Sequence, residues 1–407
     1  MKYLFFDTEC CDGVHLCEFG YVVTDESFNV TEKDVFLIAP EKPFTLSHPA
    51  VRNELKLYFS ESRYASSPAF PARYSRIKKL LTDDGCLIVG HSAANDANFI
   101  RTACERYGLV NIDFTFADTQ KLYAEISESG ETPSLENTAT LLGLELSERL
   151  HKSDDDALLT MRVMQALCKK SECTPEKLLQ KYPAARGISR DGCVWYEGGS
   201  FPDLLARLSR DPQSVGATRR MKCVSKYAAL TCINPDAAPS PLKGRSLCAG
   251  KFFERNRTAE ALNLIKLLAD LGCKYADGAA VADFYADTDE LTGEGKNDKR
   301  DPRLGSARRN FRENGKPQII SPQKLFDILG TSERTLAEMP IPQMTIDEWT
   351  AGEKRLRSEK HDEPGAIRQR VPQTRLAHNG DSASTSIGEL LRGYGVASDD
   401  YPNGEDK

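Results

Sequence analysis

The residues best suited to chemistry are Asp7 and Glu9, which close an apolar run in Tyr3-Leu4-Phe5-Phe6-Asp7-Thr8-Glu9. Side chains two apart on a strand share a face, so the pair projects two carboxylates from one rigid element, a bracket for a divalent cation. Two further stretches bring groups of the same kind. Gly90-His91-Ser92-Ala93-Ala94-Asn95-Asp96 follows the apolar run Cys86 to Val89, which places Asp96 at a helix start, where the helix dipole favours a carboxylate. His151-Lys152-Ser153-Asp154-Asp155-Asp156 opens a long helical stripe continued by Leu159, Val163 and Leu167. Five helical residues turn about 140° beyond a full rotation, so His151 and Asp156 share a site only if His151 lies on the preceding loop, with Ser153 or Asp154 as N-cap. Spacing alone does not choose among Asp154, Asp155 and Asp156. The chemistry such groups support is metal-assisted hydrolysis.

The elements that must position these groups follow from periodicity. Strand-like runs at Tyr3 to Phe6, Leu16 to Val23 and Val35 to Ala39 are separated by turn-rich stretches and suggest an antiparallel meander. Helical spacing follows at Arg73 to Leu81, then the buried strand Cys86 to Val89. Further helices are expected from Asp96 to Tyr107, Leu135 to Leu142 and Asp154 to Lys169. This order argues for one α/β unit over residues 1–173. Residues 174–240 read as a partly structured basic linker, since Pro175, Pro183, Pro202, Pro212, Pro235 and Pro239 interrupt short apolar runs. Its arginines and lysines, among them Arg186, Arg190, Arg220 and Lys226, are of the type that tracks a phosphate backbone. A second unit is expected over 241–331. Residues 332–407 are polar, with the composition of a disordered tail relieved only by Ile387 to Tyr394.

Bulk properties set limits. A chain of 407 residues is long enough for two folded units, and its formal charge of -6 excludes a globally basic coat for nucleic acid, so any such binding relies on local patches or bound cations. The 12 cysteines are scattered and form no C-x-x-C pair, the pattern of reduced thiols. Zinc binding by Cys10 and Cys11 is the competing thought, and it lacks a second pair at suitable spacing. The early Asp7 interrupts any secretory apolar stretch and no run approaches the ~20 apolar residues of a membrane span, so no membrane role and a cytoplasmic location are expected.

The ordered set Asp7 with Glu9, His91 with Asp96, and His151 with Asp156 resembles the DEDDh exonucleases over about residues 1–170. The resemblance implies a ribonuclease-H-like fold with a mixed sheet, in which Asp7, Glu9, Asp96 and Asp156 hold two divalent cations, Mg2+ or Mn2+, and His151 is the general base. It also implies contacts to substrate from Thr8, Cys10 and His91. Members often follow the acidic pair with Thr-Thr-Gly, where this chain has Cys10-Cys11-Asp12-Gly13, and Asn95 stands where a Phe is common. Four carboxylates suit two hard cations, and a histidine with an ordinary pKa near ~6.5 suits proton removal at neutral pH.

Residues Leu242 to Gly330 resemble a small α/β BRCT domain: the opening Leu242-Lys243-Gly244-Arg245, then Ala249-Gly250-Lys251-Phe252, Leu271-Gly272-Cys273 and Ile319-Ile320-Ser321. Ala249 and Ala307 stand where that family's phosphate pocket has a hydroxyl residue and a Lys, next to Arg308 and Arg309. Together the two resemblances imply a 3′-to-5′ exonuclease with nucleic acid as partner, DNA favoured over RNA, and a role in repair or replication. A protein partner would dock through the BRCT-like region or the tail. An exoribonuclease and a non-catalytic BRCT scaffold are the alternatives.

Overall fold

The computed structural model describes residues 1–44, 57–128, 130–146, 151–292 and 301–361. They form two compact units, one up to Gly199 and one from Ser200. The first is built on a seven-stranded sheet of β1 (Lys2–Cys10), β2 (Leu16–Thr24), β3 (Val30–Leu37), β4 (Cys86–Gly90), β5 (Phe114–Asp118), β6 (Arg186–Arg190) and β7 (Cys193–Tyr196), in the order β3-β2-β1-β4-β5-β6-β7. The meander β1-β2-β3 is antiparallel, β1, β4 and β5 run parallel, and β6 and β7 return antiparallel on β5. This mixed sheet is consistent with the ribonuclease-H-like fold that the resemblance implies.

Helices α1 (Glu61–Ala65), α2 (Phe70–Leu81), α3 (Ala93–Arg106), α4 (Thr119–Ser127), α5 (Leu135–Leu141), α6 (Ser153–Ser171) and α7 (Pro175–Lys181) complete the unit. Strand β1 is buried on both faces, which is why it reads as a continuous apolar run. Leu4 and Phe6 join the core that holds Ile77 of α2 and Ala97 and Ile100 of α3. Tyr3 and Phe5 join the opposite core with Leu159, Val163 and Leu167 of α6. The same alternation carried to the end of β1 sends Asp7 and Glu9 towards α6 and Thr8 towards α3.

Several boundaries differ from the sequence expectations. The first unit does not stop at Cys173, because α7 and the hairpin β6-β7 belong to it. Gly187 in β6 lies against Phe116, with the ring 2.1 Å from where a Cβ would stand, so only glycine lets β6 close on β5. Pro175, Pro202 and Pro212, expected as interruptions, open helices at their first turns, where the missing N–H has no helical partner to lose. Strand β5 and helix α4 were not anticipated at all.

The second unit contains α8 (Phe201–Arg210), α9 (Ala217–Leu230), β8 (Ser246–Cys248), α10 (Lys251–Asn256), α11 (Thr258–Asp270), β9 (Lys274–Tyr275), β10 (Phe284–Ala286), α12 (Asp289–Thr292), α13 (Pro302–Asn314), β11 (Gln318–Ile320), α14 (Pro322–Leu329), α15 (Glu333–Glu338) and α16 (Ile346–His361). Its four strands pair in parallel in the order β11-β10-β8-β9. The unit exceeds the expected 241–331 at both ends. Cys223, Val224, Tyr227 and Leu230 make one buried stripe on α9, and Asn263 of α11 donates to the carbonyls of Leu336 and Met339 at 3.2 and 3.0 Å. Residues 333–361, expected within the disordered tail, thus include two helices. The run Ile387 to Tyr394 lies outside the described residues.

Candidate active site

Asp7, Glu9 and Asp156 bring one carboxylate oxygen each to within 4.8 Å of one another. Among the described residues this is the one group of His, Cys, Asp and Glu side chains with metal-ligand spacing. Two of its members come from β1 and the third from the first turn of α6. It lies at the carboxyl end of β1 and beside the end of β4, the edge where open α/β sheets place their sites. The choice among the three aspartates is made by charge partners. Asp154 and Asp155 turn to Lys33 and Lys152, with Lys33 Nζ 3.3 Å and Lys152 Nζ 2.7 Å from Asp154. Asp156 turns inward, where its carboxylate accepts the backbone N–H of His151.

Asp96 stands one step outside this triad. Its Oδ1 accepts both the backbone N–H of Thr8 at 3.2 Å and the Thr8 hydroxyl at 2.5 Å. Helix α3 packs on the face of β1 opposite α6, so Asp96 reaches the strand end from the other layer. It is nonetheless the leading charged neighbour of Asp7.

Electrostatics at the site are those of uncompensated carboxylates. Burial, followed by the charges of Asp96, Asp156 and Glu9, holds the Asp7 carboxyl well above the usual range. Burial and then Asp156 and Glu18 do the same for Glu9. Burial is the first cause for Asp96 and Asp156 too, each pushed up to about 7. No cationic side chain is among the main influences on any of the four. An all-oxygen donor set with this excess of negative charge fits a hard divalent cation.

A pH dependence follows. These carboxyls bind protons more tightly in the folded chain than in the unfolded one, so they favour folding at low pH, and that contribution is lost as pH rises from the ordinary carboxylate range through about 7. In EDTA, the melting temperature of the first unit is expected to fall between pH 5 and 7.5, by an amount on the order of a few kcal/mol in stability. Millimolar Mn2+ should flatten or reverse that slope. Calorimetry at several pH values checks this, and a melting temperature in EDTA that rises across the window would contradict it.

His151 has a left-handed backbone, φ 65°, just before α6. Its imidazole is about half exposed, with Nε2 3.8 Å from Glu136 Oε1 on α5. The loop position that the helix geometry demanded is therefore met. The three expected substrate contacts fare differently. Thr8 is engaged with Asp96. His91 is buried, with Nδ1 2.9 Å from the Thr119 hydroxyl and Nε2 3.1 Å from the Pro133 carbonyl, so both ring nitrogens are occupied within the protein. Burial lowers its pKa. The Cys10 side chain lies in the core, where burial drives its thiol well up. Cys11 is likewise pushed to about 12, first by burial and then by Asp12. Neither thiol suits zinc, which binds thiolate.

Two buried carboxylates beside the site carry no motif signal in the sequence. Glu18 on β2 is fully buried directly opposite Glu9. Asp118, at the end of β5, accepts the backbone N–H groups of Ser92 and Ala93 at 3.0 Å each and a hydrogen bond from Tyr196. It thereby holds the start of α3, including left-handed Ser92, in front of Asp96. What marks Glu18 is its setting in Leu16-Cys17-Glu18-Phe19-Gly20-Tyr21, a lone charge within an apolar strand.

The expected phosphate-tracking linker has largely internal duties. Arg186 meets Glu197 at 3.1 Å, Arg190 meets Asp191 at 3.2 Å, Lys226 meets Glu353 at 2.8 Å, and Arg220 donates to the carbonyls of Val215 and Arg255. No described helix is long and apolar enough to cross a membrane.

Residues 4–164 match the RNase_T family model, described as Exonuclease. No curated protein matches the chain. Among solved structures, a 3′-exonuclease recognising the histone mRNA stem-loop is similar at 13% identity over 48% of this chain and 70% of its own, with a TM-score of 0.38. E. coli Exonuclease I with a dA16 oligonucleotide is similar at 18% identity over 44% of this chain and 42% of its own, TM-score 0.35. The nuclease domain of 3′hExo, a DEDDh family member bound to rAMP, shares 17% identity over 42% of this chain and 92% of its own, TM-score 0.35.

Proposed function

We propose, from the exonuclease match over residues 4–164 and the carboxylate site within it, that this chain is a metal-dependent 3′-to-5′ exonuclease. The observation that carries the reading is the convergence of Asp7, Glu9 and Asp156 within 4.8 Å from two separate elements. Asp7, Glu9 and Asp156, with Asp96 beside them, would hold Mg2+ or Mn2+ in a two-cation arrangement. When bound, such cations offset the phosphodiester charge and make an attacking water more acidic. The protein's own groups do the rest. Thr8 fixes Asp96, the His151 N–H fixes Asp156, and the half-exposed His151 imidazole takes the proton from water.

DNA is the proposed substrate and repair or replication the setting, by analogy with the BRCT-like character of the second unit. Support for that character is the four-stranded parallel sheet, which in chain order runs second-first-third-fourth. Phosphopeptide capture by it is not favoured. Ala249 and Ala307 are fully buried, and the Phe252 N–H at the start of α10 already donates to Asp301 at 2.8 Å. A partner-docking role is the better reading of this unit.

The test is incubation of the full chain with 5′-labelled single- and double-stranded DNA and RNA in Mg2+, Mn2+ or EDTA. A ladder shortening one nucleotide at a time from the 3′ end is expected, abolished by EDTA and strongest on DNA. Cleavage that survives EDTA, or none on any substrate, refutes the reading, and a ladder on RNA alone assigns the exoribonuclease instead.

A further inference from the structure

Glu18 is the strongest unexplained group near the site. Strand pairing sets Asp7 opposite Gly20 and Glu9 opposite Glu18, so β2 adds a further carboxylate to the rung that carries a metal ligand. Like charges directly opposite on neighbouring strands destabilise a sheet, and a buried carboxylate needs strong compensation. The compensation is specific. Glu18 Oε1 accepts the Ser153 backbone N–H at 2.8 Å and the Ser153 hydroxyl at 2.7 Å, and Oε2 accepts the Tyr64 hydroxyl at 2.6 Å. Both oxygens are therefore taken by protein donors, and Glu18 is not in the metal-spaced group.

The donors explain its place. Ser153 is the first residue of α6, whose local capping residue, Lys152, supplies no side-chain cap. Glu18 therefore caps the helix from another strand, where the helix dipole also favours a negative charge. Two positions along β2, Gly20 receives the same helix end: a Cβ there would lie 2.1 Å from the Asp154 nitrogen and 2.2 Å from the Ser153 carbonyl carbon. One turn into that helix is Asp156.

We propose that Glu18 is a positioning residue, a buried cap that seats the start of α6 on β2 so that Asp156 meets Asp7 and Glu9. The proposal rests on the metal-dependent reading above. Asp118 offers a parallel on the other face, where it holds the start of the helix that carries Asp96.

The experiment compares wild type, Glu18→Ala, Glu18→Gln and Ser153→Ala in the full chain, by Mn2+ titration calorimetry and by kcat and KM for 3′ cleavage in Mn2+. Glu18→Ala should weaken Mn2+ binding and lower kcat by about 10–100-fold, the usual range for groups that orient ligands, with KM little changed. Glu18→Gln keeps an acceptor for Ser153 and should recover most of both, while its metal-free melting temperature rises because a repelling charge is gone. Ser153→Ala should lie between wild type and Glu18→Ala. Wild-type Mn2+ affinity and kcat in Glu18→Ala overturn the proposal, and so does a Glu18→Gln protein as impaired as Glu18→Ala, which would make the charge rather than the cap responsible. If Glu18→Ala does not fold, Ser153→Ala decides: a weakened Mn2+ affinity supports the cap and a wild-type response overturns it. Wild-type protein that binds Mn2+ but cleaves nothing refutes the nuclease reading alone, and the Mn2+ comparison still decides the role of Glu18.

Discussion

Asp7→Asn protein is expected to lose 3′ cleavage by about a thousandfold or more while becoming more stable in EDTA. The two effects share one cause. Asp7 is nearly the same shape as Asn, so the sheet is undisturbed, but one charge leaves a cluster in which burial and then Asp96, Asp156 and Glu9 already oppose ionisation. In the metal-free protein that removal relieves repulsion and raises the melting temperature. In the metal-loaded protein it removes a ligand that Glu9 and Asp156 cannot replace, and metal-assisted charge stabilisation is worth several kcal/mol, each ~1.4 of which is tenfold in rate. Assay of kcat in Mn2+ alongside calorimetry in EDTA reads both. A variant that is inactive because it is unfolded shows the opposite stability change, and a variant with wild-type kcat removes Asp7 from the site.

His151→Asn is expected to lower kcat by about 100–10,000-fold, the range for loss of a general base, while Mn2+ affinity stays near wild type. Asn is the informative replacement because His151 occupies a left-handed conformation, φ 65°, that Asn tolerates better than Ala. Asn also leaves the backbone N–H to Asp156 in place. Loss of Mn2+ affinity equal to the loss of kcat would show that His151 acts through the geometry of Asp156 instead of through its ring.

How far these residues were legible depends on the range of the forces that place them. Asp7 and Glu9 could be read from β1 alone, because strand alternation is local and the preceding Tyr3 to Phe6 mark a strand buried on both faces. That His151 shares a site with Asp156 only from the preceding loop followed from helix rotation. The limits of both units differ from expectation because Pro175, Pro202 and Pro212 read as breaks in the sequence, although proline is favoured in the first turn of a helix. Phe114 to Asp118 offered only five residues of strand pattern, and its place is set by pairing with β4 and with the distant β6.

The sequence by itself determined the chemistry of the candidate site: carboxylates in a fixed order, two of them on one face of one strand. Tertiary structure decided which aspartate of Asp154, Asp155 and Asp156 turns inward, since Lys33 on a separate strand draws the first two away. It decided that Asp96 approaches from the opposite layer and is held through Thr8, 88 residues away in the chain. It also turned Glu18 from an anomalous charge in a strand into the cap of a helix 135 residues later. Periodicity is a property of neighbours along the chain, whereas ion pairs, helix caps and close backbone approaches depend on which elements pack together, and that is settled only when the cores on both faces of the sheet are closed.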